Sequence, residues 1–226
     1  VYSWATSLRE RAPVTLRLIW GTPAFLYTGL ASAITSLTSY AIGFWTPPYV
    51  ERVFGIGKAE IGLFVGGAAA VGGFIGVIAG GKLADHLKKR NPGGRMLVMM
   101  FSTLAPVIPL IVALNTSNFA LFVGLFFIMA TTTSMAIGAA GATTQDLVMP
   151  HMRGAAAATF FLGTTLLGLG MGPYMVGQVS ELTGSLKSGM LSLLLLAPLC
   201  MVLLILAYRK VPEAEATVET RAAEGA

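Results

Sequence analysis

The residues of this chain whose types and spacing could do chemistry are hydroxyls, set out at helical intervals. Thr28, Ser32, Thr35 and Ser39 follow one another at steps of three or four residues, with Ser36 four residues beyond Ser32 on the same face and Tyr40 at its border. A second series, Thr131, Ser134, Gly138, Gly141 and Gln145, does the same and is widened by Thr132 and Thr133. Such steps bring side chains to one face of a helix. A hydroxyl in an apolar helix either bonds back to its own helix and glues neighbours together, or offers a donor and an acceptor to a polar hollow. One Ser or Thr alone favours the first reading; two dense stripes on separate segments favour the second. Ser32, Ser36, Tyr40, Thr131, Ser134 and Gln145 are therefore the expected contacts of a substrate cavity. Bond-making chemistry has no comparable support. His86 and His151 stand in polar stretches beside basic residues, and Cys200, the single cysteine, sits inside an apolar run. The apolar segments hold no His pair, carboxylate pair or metal-ligand spacing, so a membrane-embedded enzyme is a poor reading and neither metal nor cofactor is expected. No Asp, Glu, Lys, Arg or His lies near the middle of any apolar segment, which speaks against ion coupling within the chain and against a charged small solute.

The elements that would carry these stripes follow from composition. Of 226 residues, 55% are apolar and 11% charged, against about 25% charged in soluble domains. Lipid is the solvent such a surface fits. At about 20 apolar residues per crossing the chain spans a bilayer six times. The expected fold is an all-α integral membrane protein with spans near 24–50, 59–84, 96–114, 118–148, 152–182 and 188–208. Pro47-Pro48 and Gly55 to Lys58, Lys88 to Arg95, Asn115 to Asn118, Pro150 to Arg153 and Thr183 to Lys187 separate them. Of 15 Lys and Arg, 12 fall in the N-terminal segment, the second and fourth loops and the tail, leaving only Arg52, Lys58 and Lys187 on the other side. That asymmetry puts both termini in the cytoplasm. It also accounts for the net charge of +5 through the lipid bilayer and not through nucleic acid. Residues 1–20 read as a cytoplasmic linker or interfacial segment, 21–210 as the six-helix body, and 211–226 as a disordered cytoplasmic tail. Val1 in place of Met, and a first apolar run without a cleavage-site pattern, suggest a piece of a longer polypeptide without a signal peptide.

Small residues mark the tight crossings. Gly66, Gly73, Gly76 and Gly80, with Ala69 between them, form a packing stripe on the second span. In the fifth, Gly168, Gly170, Gly172, Pro173 and Gly177 offer either a hinge or a close contact, with Gly170, Gly172 and Pro173 at its centre.

Between the second and third spans the chain reads Gly81-Lys-Leu-Ala-Asp85-His86-Leu-Lys88-Lys89-Arg90. Asp85 at a helix end can pair with nearby cations or with another helix's positive N-terminus, a contact able to latch one conformation. This segment resembles the loop signature of the major facilitator superfamily at Gly81, Asp85, Lys89 and Arg90. It departs from that signature at His86, where Arg or Lys is usual, and at Lys88, where Gly is usual. Within that superfamily Trp45-Thr-Pro-Pro-Tyr49, GGKLADHLKKRNP, Pro150-His-Met-Arg-Gly154 and Gly170-Met-Gly-Pro-Tyr174 are similar to spinster-like members, whose animal relatives export lysolipids and sphingoid lipids. The resemblance implies the C-terminal six-helix half of a 12-helix transporter. Its partner would be the N-terminal half of the same polypeptide, its cargo a small organic or lipid-like solute, and its site would lie between rocking halves with Gly81, Asp85, Lys89 and Arg90 as the latch. A six-helix scaffold or a self-pairing half-transporter is the rival reading.

Overall fold

The computed structural model describes residues 19–220, and every element among them is helical. Six long helices follow in order: α1 Pro23–Phe54, α2 Lys58–Arg90, α3 Gly94–Ala113, α4 Phe119–Asp146, α5 Pro150–Thr183 and α6 Leu186–Ala216. Five of them, α2 to α6, are long and apolar enough to cross a membrane. The first has 32 residues, ample length, but its Thr and Ser stripe dilutes its hydropathy.

The boundaries differ from expectation where caps, not prolines, decide them. α1 runs through Pro47 and Pro48 and stops at Gly55, whose φ of 67° gives the left-handed cap that glycine adopts without strain. α2 contains a π-helical stretch at Gly62–Gly66. α3 is broken by a turn ahead of Pro106, between segments Gly94–Leu104 and Val107–Ala113. α6 has a short 3-10 stretch at Leu193–Leu195. The C-terminal tail expected to be disordered from residue 211 continues α6 to Ala216. Val211 is buried and Glu215 is ion-paired, so packing and charge hold a sequence that composition alone marks as unfolded. Residues 1–18 of the expected linker, and the tail from 221 on, lie outside the described residues.

The six helices behave as two triplets that exchange their middle members. α2 lies along α4, and α5 lies along α1; these are the two most extensive helix contacts. Each is made by glycines. On α2 a Cβ at Gly72 would stand 2.9 Å from the Phe127 carbonyl, and one at Gly76 or Gly80 would overlap Thr131 or Met135 backbone. On α5 a Cβ at Gly168 would stand 2.9 Å from Ser36 Cβ, and one at Gly172 would overlap the Leu37 carbonyl. Backbones meet there because no side chain holds them apart, which suits a solvent that gives no hydrophobic reward for helix association. The packing stripe on α2 is therefore Gly72, Gly76 and Gly80; Gly66 faces open space and Gly73 makes only ordinary contact.

Candidate functional site

A cavity of about 250 Å³ opens at mid-height between α1 and α4 and is closed by α3 and α6, with Ala69 of α2 at its edge. Its position is set by the two outer helices. The α3 turn contributes Pro106 and Val107, and the 3-10 stretch of α6 contributes Leu193 and Leu194. Proline removes a helix donor and 3-10 winding narrows the coil, so both irregularities lie where the wall draws back. Apolar residues such as Ile34, Ile42, Leu110, Phe126 and Met129 make most of the lining, and Thr35, Thr38, Ser39, Ser102, Thr103, Thr133, Ser134 and Cys200 supply the polar groups. Among the described residues no Asp, Glu, Lys, Arg or His lines it.

The hollow between the two stripes exists, but the residues that line it stand beside those the spacing picked out. Of the six expected contacts, Ser134 lies on its wall. Ser32 is buried and donates its hydroxyl to the Thr28 carbonyl at 2.8 Å. Ser36 and Tyr40 lie against Gly168 of α5. Thr131 donates to the Phe127 carbonyl at 2.9 Å and packs on Gly72 and Gly76. Gln145 sits at the C-terminal end of α4, one residue from the helix terminus and far along the helix from the cavity. The cause is the pair of glycine crossings, since the face of each helix richest in small residues is the one that a neighbour occupies. Thr35 and Ser39, also members of the α1 stripe, and Thr38 and Thr133 beside the stripes reach the cavity instead.

Cys200 closes one corner. Its thiol lies 3.7 Å from Thr35 Oγ1 and 3.6 Å from Thr103 Oγ1, and donates to the Ala31 carbonyl at 3.5 Å, tying α6 to α1 and α3. Toward the end of the bundle away from the basic loops, Tyr49, Phe122 and Phe126 stack with ring centroids 6.1 and 6.2 Å apart. Tyr49 there donates to the Leu114 carbonyl at 2.9 Å.

At the end of the bundle that carries the basic loops, Asp85 does not pair with Lys89 or Arg90. It accepts from Arg95 at 2.9 Å while remaining 63% exposed. The residue that gathers charge is Asp146, which sequence reasoning missed. Its carboxylate accepts from Lys88 at 2.6 Å and Arg95 at 2.5 Å, and Arg153 approaches to 3.7 Å. Lys88 also bonds Glu215 at 3.0 Å. The cluster thus joins α2, α3, α4, α5 and α6. The only signal for it in sequence was an acid at the end of α4 near a basic loop. Lys88, which displaces the glycine usual in the loop signature, is one of its hubs. Among the described residues Lys89 and Arg90 are exposed and have no ion pair. Gly81 has open space where its Cβ would point, although Gly138 of α4 approaches its Cα closely.

In α5 the helix passes unbroken through Pro173. The Pro173 carbonyl accepts from Trp45 Nε1 at 2.8 Å, Gly172 makes the backbone crossing with α1, and Gly170 meets nothing. Gly172 and Pro173 mark a tie between α1 and α5, and Gly170 takes no part in it.

Comparison with known proteins places this architecture. The model of the Major Facilitator Superfamily matches residues 3–173. An MFS-type efflux pump of Mycolicibacterium smegmatis is 28% identical over 162 residues, covering 70% of this chain and 37% of the relative. Protein spinster homolog 1 of Xenopus tropicalis is 24% identical over 172 residues, covering 70% of this chain and 33% of the relative. Among solved structures, a bacterial homolog of the human lysosomal transporter spinster, inward-facing and unoccupied, superposes with a TM-score of 0.61 at 20% identity. That superposition covers 92% of this chain and 50% of the other. The chain therefore spans about a third of the length of the curated relatives it matches and half of the solved one.

Proposed function

The chain belongs to the major facilitator superfamily, and from that premise we propose that it is one six-helix half of a membrane transporter moving a small organic or amphipathic solute by alternating access. The observation that carries the reading is the uncharged, hydroxyl-bearing cavity at mid-height between α1 and α4, closed by two interrupted helices. Solute sites of such transporters lie near the bilayer midplane, and irregular backbone at that depth is tolerated where it lines a cavity. The family argues for transport and against catalysis. The missing partner in this reading is a second six-helix half, and the positive loops place both termini in the cytoplasm.

The ionic cluster takes a definite place in this mechanism. All its members belong to this half, so rigid rocking of one half against the other would leave its bonds intact. It braces the cytoplasmic end of the half as one body. A latch across the halves needs groups not already spent, which Lys89 and Arg90 are, together with the exposed side of Asp85.

The test is transport by the full-length protein in proteoliposomes, with a lysophospholipid, a sphingoid base and an amphipathic dye as solutes. Thr38→Leu with Thr133→Leu fills the cavity and should abolish movement of the transported solute, whereas Thr159→Val on α5, outside the cavity, should leave the rate unchanged. Failure of all three solutes to move, or full transport by the filled variant, would remove the basis of the reading.

A further inference from the structure

Resting on the transport reading, we infer that the cavity recognises the uncharged, hydrogen-bond-donating part of an apolar molecule, a hydroxyl or amide N–H on an aliphatic body, through unspent hydroxyls and proline-released carbonyls.

The polar groups around the cavity fall into two sets. Thr35 Oγ1 donates to the Ala31 carbonyl at 3.1 Å, Ser102 Oγ to Val98 at 2.9 Å and Thr103 Oγ1 to Met99 at 2.9 Å. Their hydrogens are committed to their own helices. Thr38, Ser39, Thr133 and Ser134 also line the cavity, and no hydrogen bond joins any of their hydroxyls to another described residue. Two come from α1 and two from α4, so they face the hollow from opposite sides. A hydroxyl there keeps one donor and two acceptor lone pairs for a guest.

Prolines add acceptors. Pro47 has no N–H, so the Gly43 carbonyl one turn earlier loses its helical donor; Pro106 does the same to the Ser102 carbonyl. Gly43 and Ser102 both line the cavity. The site thus holds more acceptors than donors, and it carries no ionised side chain. A guest that donates fills this deficit. A carboxylate or phosphate would add acceptors where they are already in excess, and it would be desolvated without a counter-charge. An ammonium could donate, but would enter without an anion to offset its lost hydration. At about 250 Å³ the space lies below the roughly 300–1,000 Å³ of drug-sized sites, so it takes a small molecule or one section of a longer one.

The test is equilibrium binding of radiolabelled 1-decanol, 1-decylamine and decanoate to the full-length protein in nanodiscs, with empty nanodiscs subtracted. Saturable binding of 1-decanol at least about 10-fold tighter than either charged probe is expected. Ser134→Ala and Thr38→Val should each weaken it by roughly 2- to 10-fold, the worth of one hydrogen bond. Pro106→Ala, which returns an N–H to the Ser102 carbonyl, should weaken it as well, and Thr159→Val should not. Equal or tighter binding of a charged probe, no saturable binding of 1-decanol, or wild-type affinity in both hydroxyl variants overturns the inference. If transport in proteoliposomes persists while 1-decanol fails to bind, the inference falls and the transport reading stands.

Discussion

Asp146→Asn tests whether the ionic cluster around that carboxylate braces the ends of the helices that meet there. The carboxylate holds two short charge-assisted bonds, to Lys88 at 2.6 Å and Arg95 at 2.5 Å, with 28% of its side chain exposed. Bonds of that kind contribute about 1.5–3 kcal/mol each when well protected. Partial exposure lowers that value, and each cation keeps a second carboxylate, Glu215 for Lys88 and Asp85 for Arg95, so about half of the sum should be lost. The expected destabilisation is about 1.5–3 kcal/mol, a fall in apparent melting midpoint of roughly 3–12 °C for a body of this size. Asp85→Asn removes a single pair whose carboxylate is 63% exposed, where exposed pairs contribute about 0–1 kcal/mol. It should melt within about 3 °C of the parent. The assay is thermal melting of the full-length protein in detergent at low and high salt; high salt should erase the small Asp85→Asn shift while much of the Asp146→Asn shift persists, because an exposed pair is screened more than a partly buried one. An Asp146→Asn midpoint equal to that of the parent, or no lower than that of Asp85→Asn, would refute the assignment of Asp146 as hub.

Gly76→Ala must push α2 off the Thr131 backbone, at a cost of about 1–3 kcal/mol or more. Gly124→Ala on α4 meets open space and should be neutral or slightly stabilising; the two melting midpoints decide. Trp45→Phe removes the N–H donated to the Pro173 carbonyl, which should cost about 1 kcal/mol and slow transport in proteoliposomes. Glu215→Gln breaks the bond from Lys88 that holds the end of α6, so limited proteolysis should cut residues 211–220 several-fold faster while the rest of the chain stays protected.

The sequence was most informative about solvent and topology. Apolar runs of bilayer length, Gly and Pro punctuation, and the one-sided spread of Lys and Arg are local or additive properties, so six long helices and their approximate limits could be read without knowing what touched what. Errors at the ends had local causes that tertiary contacts overrode. Pro47 and Pro48 read locally as a stop but are carried inside α1, and the acidic tail gains a partner in Lys88.

Site residues were less legible, because helical periodicity gives a stripe but not the neighbour that faces it. Ser36 and Thr131 stand on the polar stripes, as read, yet those stripes run along the glycine crossings with α5 and α2. Thr38 and Thr133, a fraction of a turn away, meet the cavity. Asp146 could not be ranked above other terminal acids until Lys88, Arg95 and Arg153, drawn from three other helices, converged on it.

By itself, then, the sequence determined that lipid is the solvent, how many long helices the chain forms, and which family signature sits in the second loop, since these depend on composition and short spacing. The tertiary structure alone decided which hydroxyls are spent on their own helices, which face a hollow, and which carboxylate gathers the cations at the helix ends. Those properties depend on how far two backbones can approach, and that distance is set jointly by the glycines of one helix and the side chains of another.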